Sequence, residues 1–132
     1  MDLGAAPSMG GTRATVLVVE DDSSLRLLCR VNLELEGYRV LEAPRIQRAE
    51  ELLRAEHVDV VLLDLHVGDR HGLELLPILR EQYPKTGVCL LSGTSEVDPP
   101  REEGVMFIRK PFELEVLSET VRMLAAGEPA TP

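Results

Sequence analysis

Short apolar runs alternate with amphipathic segments along this chain. Apolar runs at residues 16–19, 58–63, 88–91 and 105–108, the second of which includes Asp59, have the length and composition of buried strands. The run at 38–41 is shorter and partly polar, so it indicates a strand nearer the edge of a sheet. Together the five runs predict one sheet whose central strands are covered on both faces.

Between the strands, apolar residues recur at the spacing of a helix that buries one face. This spacing predicts helices at residues 25–36, 46–55, 72–83 and 113–126. Ser23 and Ser24 are expected to cap the first helix, Gly37 to end it and Gly127 to end the last one. Pro77 is compatible with the third helix only because it lies close to the helix start.

Regular alternation of strands and helices implies a single doubly wound α/β domain with a five-stranded parallel sheet. We assign residues 14–127 to this domain, residues 1–13 to a flexible leader and residues 128–132 to a polar tail. The length of 132 residues suits one domain with an ordinary hydrophobic core.

Charge and cysteine content narrow the functional classes. The net charge of -9 argues against direct contact with nucleic acid or an anionic membrane, because phosphate groups would be repelled. Cys29 falls in a helical pattern and Cys89 in a strand pattern, so we expect two buried free thiols. The first residues are not expected to form a secretory signal, because they have no basic region and no long apolar stretch, and no apolar run approaches the roughly 20 residues that span a bilayer. We therefore expect a protein of the cytoplasm.

Polar side chains stand at the C-terminal ends of four of the strand runs. The acidic cluster at 20–22 follows the first run, and Asp64 ends the run at 58–63. Ser92 ends the next run, and Lys110 follows the last one. In an open parallel sheet these ends meet at one edge, where ligands bind. Carboxylates, a hydroxyl and an amine gathered there suit a divalent cation and a phosphoryl group.

Four motifs occur in order along the chain: Val-Val-Glu-Asp-Asp at 18–22, Leu-Leu-Asp-Leu at 62–65, Leu-Leu-Ser-Gly at 90–93 and Lys-Pro-Phe at 110–112. With this set the chain resembles a response regulator receiver domain, the phosphoacceptor of two-component signalling, over residues 14–126. The resemblance implies the flavodoxin-like strand order 2-1-3-4-5. It also implies that Asp64 accepts a phosphoryl group from a histidine kinase or phosphotransfer protein, with Mg²⁺ or Mn²⁺ bound, and that output runs through protein contacts.

The resemblance also implies the metal ligands. Asp21 and Asp64 are expected to bind the ion directly, Glu20 through a water molecule, and His66 through its backbone carbonyl. Glu20 stands where the family usually has Asp, so its longer side chain is expected to shift the ion or lower its affinity. Asp22 is expected just outside the site, near the start of the first helix, where the helix dipole favours a negative charge.

Ser92 and Lys110 complete the catalytic positions that the resemblance implies. Ser92 is expected to hydrogen-bond a phosphoryl oxygen, and Lys110 to pair with Asp64 before phosphorylation and with the phosphoryl group after it. The family holds this Lys-Pro bond in cis. Phe107 matches an aromatic residue that moves inward together with the hydroxyl residue, so Ser92 and Phe107 are the expected switch.

Two segments depart from the family pattern. Gly68 replaces a proline of the loop after Asp64, which predicts a more mobile loop. The span from Ser92 to Lys110 is shorter than usual, and the proline pair at 99–100 interrupts the region of the fourth helix. We therefore expect that helix to be shortened or absent, and the face that many receivers use to dimerise to be remodelled.

Other functions share parts of this chemistry. A pseudo-receiver would keep the fold as an interaction module without phosphorylation, but the intact site residues favour a phosphoacceptor. An aspartyl-nucleophile phosphatase of the haloacid dehalogenase type would need a second Asp where His66 stands. A flavodoxin-like FMN carrier is excluded because the acidic cluster at 20–22 would repel its phosphate. The chain is not expected to be an enzyme beyond its own phosphorylation and dephosphorylation.

Overall fold

A computed structural model describes residues 13–93 and 102–127 of the chain. Strands and helices alternate through most of this length, as the apolar pattern predicts. In chain order the elements are β1 (Thr15–Val19), α1 (Ser23–Leu35), β2 (Arg39–Ala43), α2 (Ile46–Ala55), β3 (Val60–Asp64), β4 (His66–Val67), β5 (Arg70–His71), a 3-10 turn (Gly72–Glu74), α3 (Leu76–Gln82), β6 (Gly87–Ser92), β7 (Val105–Arg109) and α4 (Leu114–Ala125).

The five long strands form one parallel sheet in the order β2-β1-β3-β6-β7. Counted among the long strands alone, this is the predicted order 2-1-3-4-5. Residues 16–19 and 60–63 lie in register in the centre of the sheet, and both strands are completely buried. All five strands point the same way, so their C-terminal ends lie along one edge.

Each face of the sheet carries its own hydrophobic core because side chains alternate across a strand. Leu17 and Val19 of β1 point to the face that α2 and α3 cover. Val16 and Val18 point to the opposite face, where α1 and α4 pack. Cys29 and Cys89 are both free thiols buried in this second core, which confirms the prediction for the two cysteines.

Several boundaries differ from those predicted. β2 covers Arg39–Ala43 rather than 38–41, and β3 starts at Val60 and includes Asp64. The predicted helix at 72–83 begins as a 3-10 turn, and α3 follows from Leu76 with proline in its first turn, where the missing N–H costs no hydrogen bond. The cap of α1 is Asp22, whose side chain accepts hydrogen bonds from two backbone N–H groups, rather than a serine.

A small hairpin after β3 was not predicted. β4 and β5 pair antiparallel, with His66 opposite His71 and Val67 opposite Arg70. Gly68 lies in the connecting turn with φ of 64°, a backbone conformation that favours glycine. Strands of two residues are too short to show the alternation of apolar and polar residues from which a strand is predicted.

The described residues contain four α-helices, in agreement with the prediction that a fourth receiver helix is shortened or absent. Residues 94–101, which hold most of that region, lie outside the described residues. The same is true of 1–12 and 128–132, so the leader and the tail stay predictions. Within 13–93 and 102–127, none of the helices is long and apolar enough to cross a bilayer.

Gly72 is held against the backbone of the strand end that carries Asp64. Its N–H donates to the carbonyl oxygen of Leu65 at 2.6 Å, and an added Cβ would overlap the carbonyl oxygen of Asp64. Gly93 is a matched control, since a Cβ there would meet nothing within 4 Å.

We predict that Gly72→Ala lowers the free energy of unfolding by about 2 kcal/mol or more, because backbone atoms must move to admit the methyl group. Gly93→Ala should change it by less than about 0.5 kcal/mol. Urea unfolding of the two variants and the wild type measures both values. Equal transition midpoints for Gly72→Ala and the wild type would contradict the prediction.

Candidate functional site

The predicted site residues meet at the C-terminal edge of the sheet. Glu20 follows β1, Asp64 ends β3, Ser92 ends β6, and Lys110 follows β7. These four strands are neighbours, and Ser92 lies in register with Arg109, the residue before Lys110. Strand order and register therefore bring together residues that are far apart in the sequence.

Lys110 bridges two buried carboxylates. Its Nζ donates to Glu20 Oε1 at 3.1 Å and to Asp64 Oδ2 at 3.1 Å. Glu20 is only 1% exposed and Asp64 only 6%, whereas the Lys110 side chain is 27% exposed. The pairing of Lys110 with Asp64 was predicted, and the pairing with Glu20 was not.

Glu20 sits in an environment that disfavours its negative charge. Burial is the main cause, the nearby Asp64 carboxylate adds to it, and together they raise the pKa of Glu20 to about 7. The N–H of Asp22 donates to Glu20 Oε2 at 3.0 Å and, with Lys110, opposes the shift. Near neutral pH, Glu20 therefore exchanges between a carboxylic acid and a carboxylate.

The amine of Lys110 stays charged in the same environment. Burial alone would lower the pKa of Lys110, but hydrogen bonds and charge attraction from Asp64 and Glu20 outweigh it and raise the pKa. The Lys110–Pro111 peptide bond is cis, as expected from the resemblance. The backbone N–H of Lys110 also donates to the Ser92 carbonyl oxygen at 2.7 Å, which ties the ends of β6 and β7 together.

Asp21 completes an acidic cluster. One carboxylate oxygen from each of Glu20, Asp21 and Asp64 lies within 4.8 Å of the others, and Asp21 is exposed to solvent while the other two are buried. Hard oxygen ligands at this spacing, with an open side for water, fit Mg²⁺. Asp22 lies outside the cluster near the start of α1, as expected, and its side chain caps the helix in place of the predicted serines.

The loop after β3 contacts the acidic cluster. The N–H of His66 donates to Asp64 Oδ1 at 3.2 Å, and the N–H of Gly68 donates to Asp21 Oδ2 at 2.9 Å. The rings of His66 and His71 meet edge to face with centroids 5.0 Å apart, and His71 Nδ1 accepts from the N–H of Leu73. Backbone N–H groups of this loop thus position two of the three carboxylates, and the Asp22 N–H positions the third. Because backbone groups make these contacts, the residue types in the sequence do not indicate them.

The hydrogen bonds that hold the backbone of Glu20 were not predicted from the sequence. Arg26 donates from Nη1 to the Glu20 carbonyl oxygen at 2.8 Å and from Nε to Glu42 Oε1 at 3.0 Å. The N–H of Glu20 donates to the carbonyl oxygen of Ala43 at 3.1 Å. An arginine on a helix surface carries no signal for this role, because its partners become neighbours only in the folded sheet.

An open cleft leads to Lys110 from the side of α1. It has a volume of about 680 Å³. Its lining includes Lys110 and the apolar side chains of Leu25, Leu28 and Phe112. The cleft therefore gives Lys110 a partly apolar approach from solvent.

Ser92 and Phe107, the predicted switch residues, lie on the neighbouring strands β6 and β7. Ser92 is 1% exposed at the end of β6. Phe107 is half-buried on β7, where it packs against the core on the α2 and α3 side, and the guanidinium carbon of Arg109 lies 5.8 Å from its ring centroid. Movement of either side chain stays a prediction, as does the metal contact of the His66 carbonyl.

Comparisons with known proteins agree with this geometry. A family model described as the response regulator receiver domain matches residues 16–122. The chain is 35% identical over 106 residues to the transcriptional regulatory protein MalR of Bacillus subtilis (strain 168), covering 76% of this chain and 45% of MalR. It is 31% identical over 107 residues to the DNA-binding transcriptional regulator NtrC of Proteus hauseri, covering 78% of this chain and 23% of NtrC. The chain thus spans less than half the length of these relatives.

Solved structures show the same similarity. The crystal structure of a response regulator from Thermotoga maritima matches with a TM-score of 0.71 at 31% identity, covering 86% of this chain and 98% of that one. The non-phosphorylated HemR receiver domain from Leptospira biflexa matches with a TM-score of 0.74 at 26% identity, covering 91% of this chain and 98% of that one.

The raised pKa of Glu20 predicts a pH dependence of stability in the metal-free protein. Between about pH 4.5 and pH 7 the folded chain keeps a proton on Glu20 that the unfolded chain has released, so the free energy of unfolding falls as pH rises. We expect a loss on the order of 1 to 3 kcal/mol from this group, and Glu20→Gln should remove it. Urea unfolding in EDTA at pH 5 and pH 8 measures the loss.

Glu51→Gln is the matched control, because Glu51 is exposed on α2 and pairs only with Arg48 at 3.0 Å in the described structure. It should keep the pH dependence of the wild type. A Glu20→Gln variant that loses as much stability as the wild type between the two pH values would show that Glu20 is already ionised at pH 5.

Proposed function

The chain belongs to the family of response regulator receiver domains, and from this membership we propose that it accepts a phosphoryl group on Asp64. The observation that carries the proposal is the placement of the Lys110 amine between Asp64 and Glu20, beside the exposed carboxylate of Asp21. In this arrangement Asp64 is the proposed nucleophile, and the Lys110 amine is a positive charge held beside it. The carboxylates of Glu20, Asp21 and Asp64 are the proposed metal ligands at the same edge of the sheet.

Phosphoryl transfer needs little covalent chemistry from the protein. An oxygen of the Asp64 carboxylate attacks the phosphorus, the bond from phosphorus to the donor nitrogen breaks, and the electron pair leaves with the donor imidazole. The product is an acyl phosphate. Asp64 is suited to this role because the N–H of His66 holds one of its oxygens and Lys110 holds the other, so the carboxylate is oriented before the donor arrives.

Lys110 and Ser92 are proposed to stabilise the transferred group. The amine of Lys110 is charged and partly exposed, so it can follow the negative charge from the Asp64 carboxylate to the phosphoryl oxygens. Ser92 ends the neighbouring strand and is proposed to donate its hydroxyl to another of those oxygens.

Glu20, Asp21 and Asp64 are the residues that would hold Mg²⁺, with Mn²⁺ as a substitute and the carbonyl of His66 as a further ligand. A bound divalent ion would neutralise charge on the carboxylates and on the phosphoryl oxygens. Because the pKa of Glu20 is near 7, its proton competes with any cation that approaches the cluster.

The proposed partners follow from the family and from the charge. We propose that a histidine kinase or a phosphotransfer protein supplies the phosphoryl group in the cytoplasm. MalR and NtrC are named as transcriptional regulators, and NtrC as DNA-binding. With a net charge of -9, this chain is proposed to act on its target through protein contacts rather than on nucleic acid directly.

A pseudo-receiver is the second candidate because two site positions depart from the family pattern. Glu20 stands in place of an aspartate, and Gly68 in place of a proline. Such a module would keep the fold and its protein contacts without phosphorylation. A phosphorylation assay separates the two candidates, since the fold is common to both.

We predict that the wild type gains one phosphoryl group from a small-molecule phosphodonor when Mg²⁺ is present, and that Asp64→Asn gains none. Intact mass measured with Mg²⁺ and with EDTA gives both results. Asp69→Asn is the matched control, because Asp69 is an exposed carboxylate in the turn between β4 and β5 and should not affect labelling. A wild type that stays unmodified at saturating donor and metal would favour the pseudo-receiver.

Metal binding has a separate test. Mg²⁺ at a free concentration 100-fold above its dissociation constant should raise the free energy of unfolding by about 3 kcal/mol. Asp21→Ala should lose most of this gain, whereas Asp69→Ala should keep it. Thermal unfolding with and without Mg²⁺ measures the gain, and an unchanged response in Asp21→Ala would place the ion elsewhere.

A further inference from the structure

The backbone of Glu20 is held on both sides of its Cα atom. Its N–H donates to the carbonyl oxygen of Ala43, the last residue of β2, at 3.1 Å. Because β2 ends there, the carbonyl oxygen of Glu20 lies beyond the strand ladder. Arg26 of α1 donates to that oxygen from Nη1 at 2.8 Å. Hydrogen bonds therefore fix both peptide groups that flank Glu20.

The carbonyl group that Arg26 holds belongs to the peptide that joins Glu20 to Asp21. A peptide group is planar, so this oxygen lies in one plane with the Cα atoms of both residues. The two residues carry two of the three carboxylates in the acidic cluster, and Asp64 carries the third. Glu20 and Asp64 are buried, whereas Asp21 is exposed. The contact from Arg26 therefore limits how the exposed carboxylate moves relative to the two buried ones.

Arg26 is itself anchored on β2. Its Nε donates to Glu42 Oε1 at 3.0 Å, and the two side chains are only 18% and 28% exposed. Arg30 donates to the other oxygen of the same carboxylate, Oε2, at 2.6 Å. The backbone N–H of Arg26 donates to the carbonyl oxygen of Asp22 at 2.9 Å, in the first turn of α1. The guanidinium is therefore fixed in orientation, with Nε directed at β2 and Nη1 at Glu20.

Attachment of α1 to the sheet does not require both contacts. An ion pair that only joined the helix to β2 would need the bond from Nε to Glu42. The bond from Nη1 reaches instead the residue at which β1 ends and the acidic cluster begins. Arginine can make both bonds because its planar guanidinium presents several N–H donors in fixed directions. The second bond thus points to a role in the site.

We propose that Arg26 is a positioning residue for the acidic cluster. By holding the Glu20 carbonyl oxygen, it sets the arrangement in which Glu20 and Asp21 bind a divalent cation, and Glu42 acts through it. This inference rests on the metal binding of the proposed function. Hydrogen bonds that orient metal ligands typically contribute roughly 10- to 100-fold to metal affinity. We expect about tenfold here, because Arg26 orients the ligands through the backbone.

Glutamine at position 26 separates the two contacts. Its amide nitrogen stands as many bonds from the backbone as Nε of arginine, so Arg26→Gln can still donate to Glu42 but cannot reach the Glu20 carbonyl oxygen. Loss of a positive charge near the acidic cluster would by itself strengthen the binding of a cation. Weaker binding in Arg26→Gln would therefore report lost positioning, because the effect of charge has the opposite sign.

Titration of the metal-free protein with Mg²⁺, followed by amide NMR shifts at fixed pH and salt, measures the dissociation constant. Arg26→Gln should raise this constant about tenfold, and Arg26→Met, which also loses the bond to Glu42, by at least as much. Arg39→Gln is the matched control, because Arg39 begins β2 about 13 Å along the strand from Ala43 and pairs with Glu56 at 2.9 Å. It should change the constant by less than about twofold, since salt screens a charge at that distance.

Two further measurements separate positioning from stability. A merely structural role of Arg26 would lower the free energy of unfolding of the metal-free protein and leave the Mg²⁺ dissociation constant of the folded protein unchanged. The carbonyl ¹³C shift of Glu20 in EDTA should change in Arg26→Gln and not in Arg39→Gln, because it reports the hydrogen bond from Nη1. Circular dichroism confirms that each variant is folded.

Glu42→Gln tests whether Glu42 acts through Arg26. In the wild-type background it should raise the Mg²⁺ dissociation constant, because Arg26 loses the charge that anchors it. In the Arg26→Met background it should change the constant by less than about twofold, since the bond that it supports is already absent. Equal effects in the two backgrounds would show that Glu42 acts by its own charge and would overturn its role as the anchor.

A folded Arg26→Gln variant that binds Mg²⁺ as tightly as Arg39→Gln would overturn the proposal and leave the phosphoacceptor function standing. Labelling of Asp64 separates the two. A wild type that binds Mg²⁺ without being labelled would contradict the proposed function, and the affinity of Arg26→Gln would still decide the role of Arg26. A wild type that binds no Mg²⁺ would overturn both the metal site and the role of Arg26.

Discussion

One lysine between two buried carboxylates is the constraint on which the site depends. Lys110 donates to Glu20 and to Asp64 at the same distance of 3.1 Å, so a single positive charge faces two negative ones. Burial makes this imbalance costly. A proton on Glu20 relieves it, as the raised pKa shows, and a divalent ion near Asp21 would relieve it further. The site is therefore suited to take up positive charge, which the proposed binding of a divalent ion and a phosphoryl group requires.

The sheet makes this concentration of charge possible. Each of the four residues follows or ends a different strand, and the apolar strands hold these ends in register against two buried cores. No local segment contains the site. Its geometry depends on the order of the strands, and the close contact of Gly72 with the end of β3 and the hydrogen bond from Lys110 to Ser92 fix the ends at the same edge.

Sequence patterns predicted most of the fold because parallel strands buried on both faces are continuous apolar runs. They also placed Asp64, Ser92 and Lys110 correctly, since a polar residue that ends such a run can only lie at the sheet edge. What they missed depends on distances between segments. The cap at Asp22, the support of Glu20 by Arg26 and the hairpin after β3 have no periodic signal, and the pKa of Glu20 follows from a burial that composition does not show.

Gly68 departs from the family pattern and takes part in the site through its backbone N–H. A proline has no N–H and fixes φ near -65°, whereas Gly68 has φ of 64° and donates its N–H to Asp21 at 2.9 Å. The residue that replaces proline therefore supplies a hydrogen bond that proline lacks, and it does so in a backbone conformation closed to proline. Because Asp21 is also a proposed metal ligand, the loop after β3 and the acidic cluster share one carboxylate. The loop holds Asp21 through Oδ2, so Oδ1 of the same carboxylate is the oxygen that an ion can bind without breaking this hydrogen bond.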